Sequence, residues 1–504
     1  MAIGILAALA ACSEKTPGEP GEVAGTPGLR VISGGGQSDT IDAVFAQPLV
    51  VEVRDDNGFL AKNVVVRLEV QQTPDPVRIG NSLLLCGSTA PTACSGFAYP
   101  AVATTTDSTG RVQMKVAGSN ISGRAVVLVY APTIGKPDSA VFQVRPGNLA
   151  RIRASAVDTA LTIGTPATLR GALTDRYGNL RTELPTLSAG TGTAFTVDAT
   201  TGVLTPRELG AQYLFVRQGT LVDSTRVRVL PAGRIVVWAG DGSIRLTNLD
   251  GTRVRVLAQN MNSSISVFPN FDATRQRVTW QSGFNSLPFP VNTITIVDTI
   301  GTPRRDIDPN TSGFTQILST RQMADGTLLV FGVRNGQTGL YGVSTTDVIT
   351  LIRLVPATLL ATGVADISHD GTRVALVGFD RNTQTIAMHV MVAATGNVTA
   401  LDSAAGSPRW SAQDDRIAYL SGPVNGAGLR TTVAIIDANG QNKRTIATRV
   451  FDQGIAWSPD GIYLLARYTD SESGGTLNVY RISDGAMLPL VLPNVPSPRQ
   501  PDWR

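Results

Sequence analysis

Histidine is nearly absent: the 504-residue chain holds two, beside three cysteines and five tryptophans. Metal catalysis through histidine needs two or three ligands on one face. His369 falls in a turn and His389 in the apolar stretch "IAMHVMVAA", so neither fits a zinc or triad arrangement. Charge is also scarce, at 16% of residues with a net +4, and residues 232–504 carry 23 Lys+Arg against 21 Asp+Glu. Without a basic stripe, nucleic acid is not an expected partner. No Gly-x-Ser-x-Gly elbow and no phosphate-binding glycine loop ahead of a helix occurs. The adjacent carboxylates Asp414 and Asp415 point in different directions from one turn, which suits general acid/base work poorly. No catalytic residue, cofactor or metal ligand is therefore assigned, and the chain is not expected to be an enzyme.

Long helical periodicities are missing too. What replaces them is Val/Thr/Leu-rich runs punctuated by 51 glycines and 29 prolines, in a chain that is 42% hydrophobic. That is the composition of many short strands joined by tight turns, with ample apolar surface to bury. The length allows about three domains.

The first residues, "MAIGILAALAAC", are apolar, too short to span a bilayer and right for the core of a signal peptide. Leu9-Ala10-Ala11-Cys12 resembles the bacterial lipobox, which implies cleavage before Cys12 and lipidation of its thiol. Ser13 in place of Asp implies outer-membrane sorting. No Lys or Arg precedes the apolar run, so the true start is expected upstream of Met1. Residues 13–28, rich in Pro, Gly and Glu, suit a flexible tether. In an exported chain Cys86 and Cys94, flanking "CGSTAPTAC", are expected to form a disulfide. So small a loop is worth at most about 2–3 kcal/mol of chain entropy.

From 29 to 146, runs such as "LVVEVRDDNG", "NVVVRLEV", "GRVQMKVAG" and "AVVLVYAP" alternate with period two, one face buried and one wet. Their order with the Asp/Asn-Gly turns resembles bacterial immunoglobulin-like domains of the invasin/intimin type. Residues 147–231, with "ATLRGALTDRYGNL" and "FTVDATTGVLTPRELG", resemble a second bacterial immunoglobulin-like group. Asp55, Asp56, Asn57, Asp175 and Asn179 lack the crowded acidic spacing of a calcium loop, and Asx turns explain them better.

The last segment, 232–504, is repetitive. "AWSPDGIYLLARY" at Ala456 recurs as "PRWSAQDDRIAYLS", "DISHDGTRVALVG", "QMADGTLLVFG" and "FPNFDATRQRVTWQS", at spacings of roughly 43–53 residues, the size of a four-stranded propeller blade. One copy is split. "PDWR" ends the chain where a turn should follow, and the missing part stands at the start of the segment as "GRIVVWAGDG". These repeats resemble the six-bladed TolB-type propeller family. The resemblance implies a ring in which the C-terminal tail supplies the innermost strand of the blade begun at Arg234. The Ser-Pro-Asp-Gly turns and tryptophans are read as structural, and recognition is placed on the variable loops at the opposite end. The candidate contact residues there are Phe284, Phe289, Arg334, Asn335, Arg381, Asn425, Arg430 and Asp470.

The expected fold class is all-β: two Ig-like β-sandwiches followed by a six-bladed β-propeller closed by the C-terminal strand. The expected role is that of a monomeric, non-catalytic lipoprotein, anchored in the envelope membrane and binding a protein or glycan through the propeller. An adhesive protein that binds through its sandwiches is one alternative. A propeller enzyme, a glycan lyase or peptidase accessory, is the other.

Overall fold

The computed structural model describes residues 23–71, 81–86, 94, 98–154, 159–259, 268–272, 274–284, 291–299, 304–307, 312–403, 405–424, 430–469 and 475–504. Cys12 and most of the tether lie outside them. The described chain is all-β, and none of its helices is long and apolar enough to cross a membrane. It divides into two compact units: Met1–Ser155 with Arg170–Thr186 and Val216–Asp223, and Ala156–Leu169 with Leu187–Phe215 and Ser224–Arg504.

In the first unit two five-stranded sheets face each other. One runs in the order Gly28–Ser33, Leu49–Arg54, Arg111–Gly118, Leu83–Cys86, Ala98–Tyr99. The other runs Ser38–Thr40, Ile134–Arg145, Gly123–Ala131, Val65–Gln71, Ala101–Thr105. Alternation works as period two requires: in Val65–Gln71 the residues Val66, Leu68 and Val70 are buried while their neighbours are exposed. Val51, Val53, Val112, Val127, Val129 and Phe142 join them in one core drawn from both sheets. The chain is held before its first strand, since the Gly25 N–H donates to the Gly58 carbonyl (2.9 Å). Cys86 and Cys94 form a disulfide, with Cα atoms 5.1 Å apart.

The Asx turns of this unit are occupied by their own backbone. Asp55 Oδ1 accepts the N–H groups of Asn57 (3.0 Å) and Phe59 (2.9 Å). Asp175 accepts four donors, the N–H groups of Tyr177, Asn179 and Gly147 and the Asn179 amide. Burial alone would push the Asp175 carboxyl up, but these bonds outweigh it and hold it below the usual aspartate range.

In the second unit, Thr159–Thr162 runs parallel to the end of Leu221–Leu230, and Ala167–Thr168, Val203–Pro206 and Phe195–Val197 form a small sheet. Beyond Leu230 the sheets repeat. Arg277–Phe284, Leu328–Arg334 and Arg373–Asp380 are each second in a four-stranded antiparallel sheet whose strands follow chain order. A seven-stranded sheet from Gly406–Trp410 to Met487–Pro489 continues the pattern. Its 14-residue strand Arg444–Trp457 pairs with Arg430–Asp437 through its first part and with Tyr463–Thr469 through its last, so one strand ends one repeat and opens the next.

The remaining sheet joins the two ends of the segment. Arg499–Trp503 lies antiparallel to Arg234–Trp238, with Ile235 opposite Trp503 and Val236 opposite Asp502. Arg234 and Arg504 exchange both backbone bonds, at 3.0 and 2.9 Å. Apolar cores then link each sheet to the next. Val236 and Trp238 pack with Phe271, Val278 and Trp280, whereas Ile235, Val237 and Trp503, on the other face, pack with Leu465, Val479 and Leu488 from the last sheet. Radially repeated sheets whose last core returns to the first make a closed β-propeller.

Candidate functional site

The repeated turn sets up the site. At Asp272, Met323, Ser368, Ser411 and Ser458, each between the first and second strands of a sheet, the same bond recurs: the N–H three residues on donates to the carbonyl of the named residue, at 2.9–3.0 Å. The third residue after it has positive φ, and it is Gly326, Gly371 or Gly461 in three copies, Arg275 and Asp414 in the others. Asp460 and Asp370 accept the N–H two residues on, and Ser458 and Ser368 accept one five residues on. Ser-Pro-Asp-Gly is thus a self-capped reversal between the first and second strands of a sheet.

Counting back two residues from each turn gives Asn270, Arg321, Asp366, Arg409 and Ala456, and in the split copy, whose first strand is Arg499–Trp503, the residue matching Arg409 and Ala456 just before the tryptophan is Asp502. Every one of them lines a single cavity of about 250 Å³. The tryptophans that follow Arg409, Ala456 and Asp502 line it as well, together with His369, Arg275 and Pro459 from the turns. Repeat geometry therefore brings one side chain from each inner strand to a shared chamber.

Polar groups in this chamber are held in place. The buried Arg321 guanidinium donates to the Ile367 carbonyl (2.6 Å) and to Asp366 Oδ1 (3.2 Å). Asp366 Oδ2 accepts the Trp410 backbone N–H (2.8 Å), and its carbonyl accepts the Trp410 indole N–H (3.1 Å). The Trp457 indole N–H donates likewise to the Arg409 carbonyl (2.9 Å). Arg373 and Arg416 stack over Trp410 and Trp457, at 4.6 and 5.1 Å from the ring centres. Trp503 breaks the series: Tyr463 stands where the stacking arginine would be, and the buried indole N–H has no hydrogen-bond partner. Asp414 Oδ1 accepts the His369 backbone N–H (2.8 Å) and lies 3.0 Å from His369 Nδ1.

Asp502, lining the same chamber, is displaced from its ordinary state. Burial pushes its carboxyl up, against the opposing pull of the Phe271 N–H (2.6 Å from Oδ2) and of the nearby Arg321, Arg409 and His369. Arg409 meets the Phe268 ring at 5.3 Å and forms no ion pair among the described residues. A chamber with fixed aromatic walls, a cation without a paired carboxylate and a carboxyl of raised pKa can bind a polar ligand with defined orientation.

The loop residues singled out from the sequence lie at the opposite ends of the strands. Arg334 donates from Nε to the Ser312 carbonyl (2.7 Å), and Asn335, at φ 48°, donates its N–H to Gly313 (3.2 Å). The Arg381 N–H donates to the Thr358 carbonyl (2.8 Å), and Arg430 donates to the Gly422 carbonyl (3.0 Å). Arg334 and Asn335 are neighbours in one hairpin, while Arg381 and Arg430 belong to others. Phe284 ends a strand opposite Val291, its side chain outside the described set, and Phe289, Asn425 and Asp470 lie wholly outside it. The chamber residues went unassigned in the sequence, yet the signal was there as a fixed offset from each turn. Among the described residues no cluster of metal-ligating side chains occurs.

No protein-family model and no curated protein sequence matches the chain. Solved structures with a similar course include TolB from Acinetobacter baumannii, at 17% identity over 59% of this chain and 80% of that one, with a TM-score of 0.42. A putative TolB from Agrobacterium tumefaciens is similar at 15% identity over 52% of this chain and 88% of that one, with a TM-score of 0.37. An oligogalacturonate lyase in complex with manganese is similar at 14% identity over 52% and 72%, with a TM-score of 0.33.

Proposed function

We propose that this chain is a non-catalytic recognition protein of the bacterial cell envelope, its propeller the binding head for a protein or glycan. The observation that carries this reading is the chamber to which every repeat contributes a residue of its first strand. Counting Arg444–Trp457 as shared, the sheets amount to six blades, and the two segments before them are immunoglobulin-like spacers. Cys12 carries the lipid of an outer-membrane anchor, and the protein acts as a monomer. The lipobox-like Leu-Ala-Ala-Cys and the Cys86–Cys94 bridge support an exported location.

Capture of a partner from native envelope extract by the full chain tests the binding head. Arg409→Ala is expected to lose at least tenfold in capture, and Arg381→Ala to retain it. Loss in Arg381→Ala alone would move recognition to the variable loops. The raised pKa of Asp502 inside a cavity favours a second reading, proton transfer to or from a bound glycan. Turnover in a glycan panel that Asp502→Asn abolishes would replace binding with catalysis.

A further inference from the structure

A second cavity, of about 350 Å³, lies beside the seam where the ring closes, lined by Leu161, Leu230, Leu249, Asp250, Arg234 and Arg253 among others. Arg234 is the first residue of the closing strand pair. Its backbone bonds to Arg504 in both directions, so closing the ring fixes its side chain within the field of Arg504, Arg253 and Arg255. Burial and these three like charges both work against the Arg234 cation. Its Nε is buried without a hydrogen-bond partner. Among the described residues, Arg234, Arg253 and Arg255 form no ion pair. The carboxylate lining the cavity, Asp250, closes its own turn instead, with Oδ1 accepting the Thr252 N–H (2.9 Å) and hydroxyl (2.6 Å).

A guanidinium with an orphan donor, other arginines around it and an apolar wall of leucines fit an oxyanion carried on a small body. We infer that this cavity is a binding site for a phosphate monoester, gripped by Arg234 and Arg253, with the organic part against Leu161, Leu230 and Leu249. The bound phosphate supplies a counter-charge to Arg234 and Arg253. It therefore strengthens the seam as well as occupying the cavity.

Thermal melting of the full chain at constant ionic strength tests this, with glycerol phosphate and inorganic phosphate as probes and chloride as the reference. Glycerol phosphate is expected to raise the melting temperature by several degrees at saturation, because a ligand that binds only the folded state stabilises it by mass action. A rise of equal size with inorganic phosphate alone would reduce the site to one for the free ion and overturn the monoester assignment. Arg234→Gln should abolish the rise while melting no lower than the unliganded wild type, since it removes a repelled charge. Should Arg234→Gln not fold, Arg253→Gln is expected to weaken glycerol phosphate binding at least tenfold. No rise with either probe, or an undiminished rise in both variants, would sink the site.

Discussion

Single residues at contact points decide much of this molecule. At Gly233 the backbone has φ 132°, and a Cβ placed there would stand 2.2 Å from the Trp503 indole nitrogen and 2.6 Å from the Arg504 carbonyl. Gly233→Ala is therefore expected to cost about 2–3 kcal/mol by overpacking the seam, read as an earlier urea transition of the propeller unit. Glu52 makes the second case. Burial would raise its pKa, but hydrogen bonds from Arg54 (2.7 Å) and Arg111 (3.0 Å) outweigh burial and hold it low. A lowered carboxylate stabilises the fold fully above its unfolded value of about 4.5, and that share is lost as pH falls through the folded value. Glu52→Gln should cost about 1.5–3 kcal/mol at neutral pH. It should also flatten the acid limb of the first unit's stability curve, measured by urea melts between pH 3 and pH 7. Legibility at this scale was uneven. The turn aspartates and glycines announced themselves because their backbone chemistry is local. Asp502, Arg321 and Asp366 did not, since nothing near them in the chain says that they meet.

At the scale of elements, turn chemistry and period two carried most of the reading. Ser458 and Ser368 cap their turns as the Ser-x-Asp-Gly spacing requires, and the split copy placed Trp503 beside Ile235. Continuity across repeats was less visible. A Pro between Arg444 and Trp457 would have marked a break, but "RTIATRVFDQGIAW" has none, and the chain runs through Gly454 as one strand. Loops given to recognition were picked for their variability. Arg334 and Arg430 are instead tied to backbone carbonyls of their own sheets, which sequence variability cannot reveal. Deleting Arg499–Arg504 is expected to leave Arg234–Trp238 without a partner and to remove Trp503 from the core that the first and last sheets share. The truncated protein should lose the cooperative melt of its propeller unit and elute as aggregate in gel filtration, while Trp503→Ala alone should cost about 3–5 kcal/mol.

For the whole molecule, composition narrowed the expected classes and named no ligand. Scarce histidine and balanced charge argued against zinc chemistry and nucleic acid without pointing to any ligand. Propellers reuse one scaffold for many tasks, so what a given ring does rests on side chains that its axis gathers from distant repeats. The closing seam also sets an order of events. A chain made from its N-terminus presents Arg234–Trp238 long before the strand's mate, Arg499–Trp503. Until then that sticky margin stays open, so factors that mask nascent β-strands have their longest task here, and clipping Arg499–Trp503 acts as an off-switch for the entire wheel.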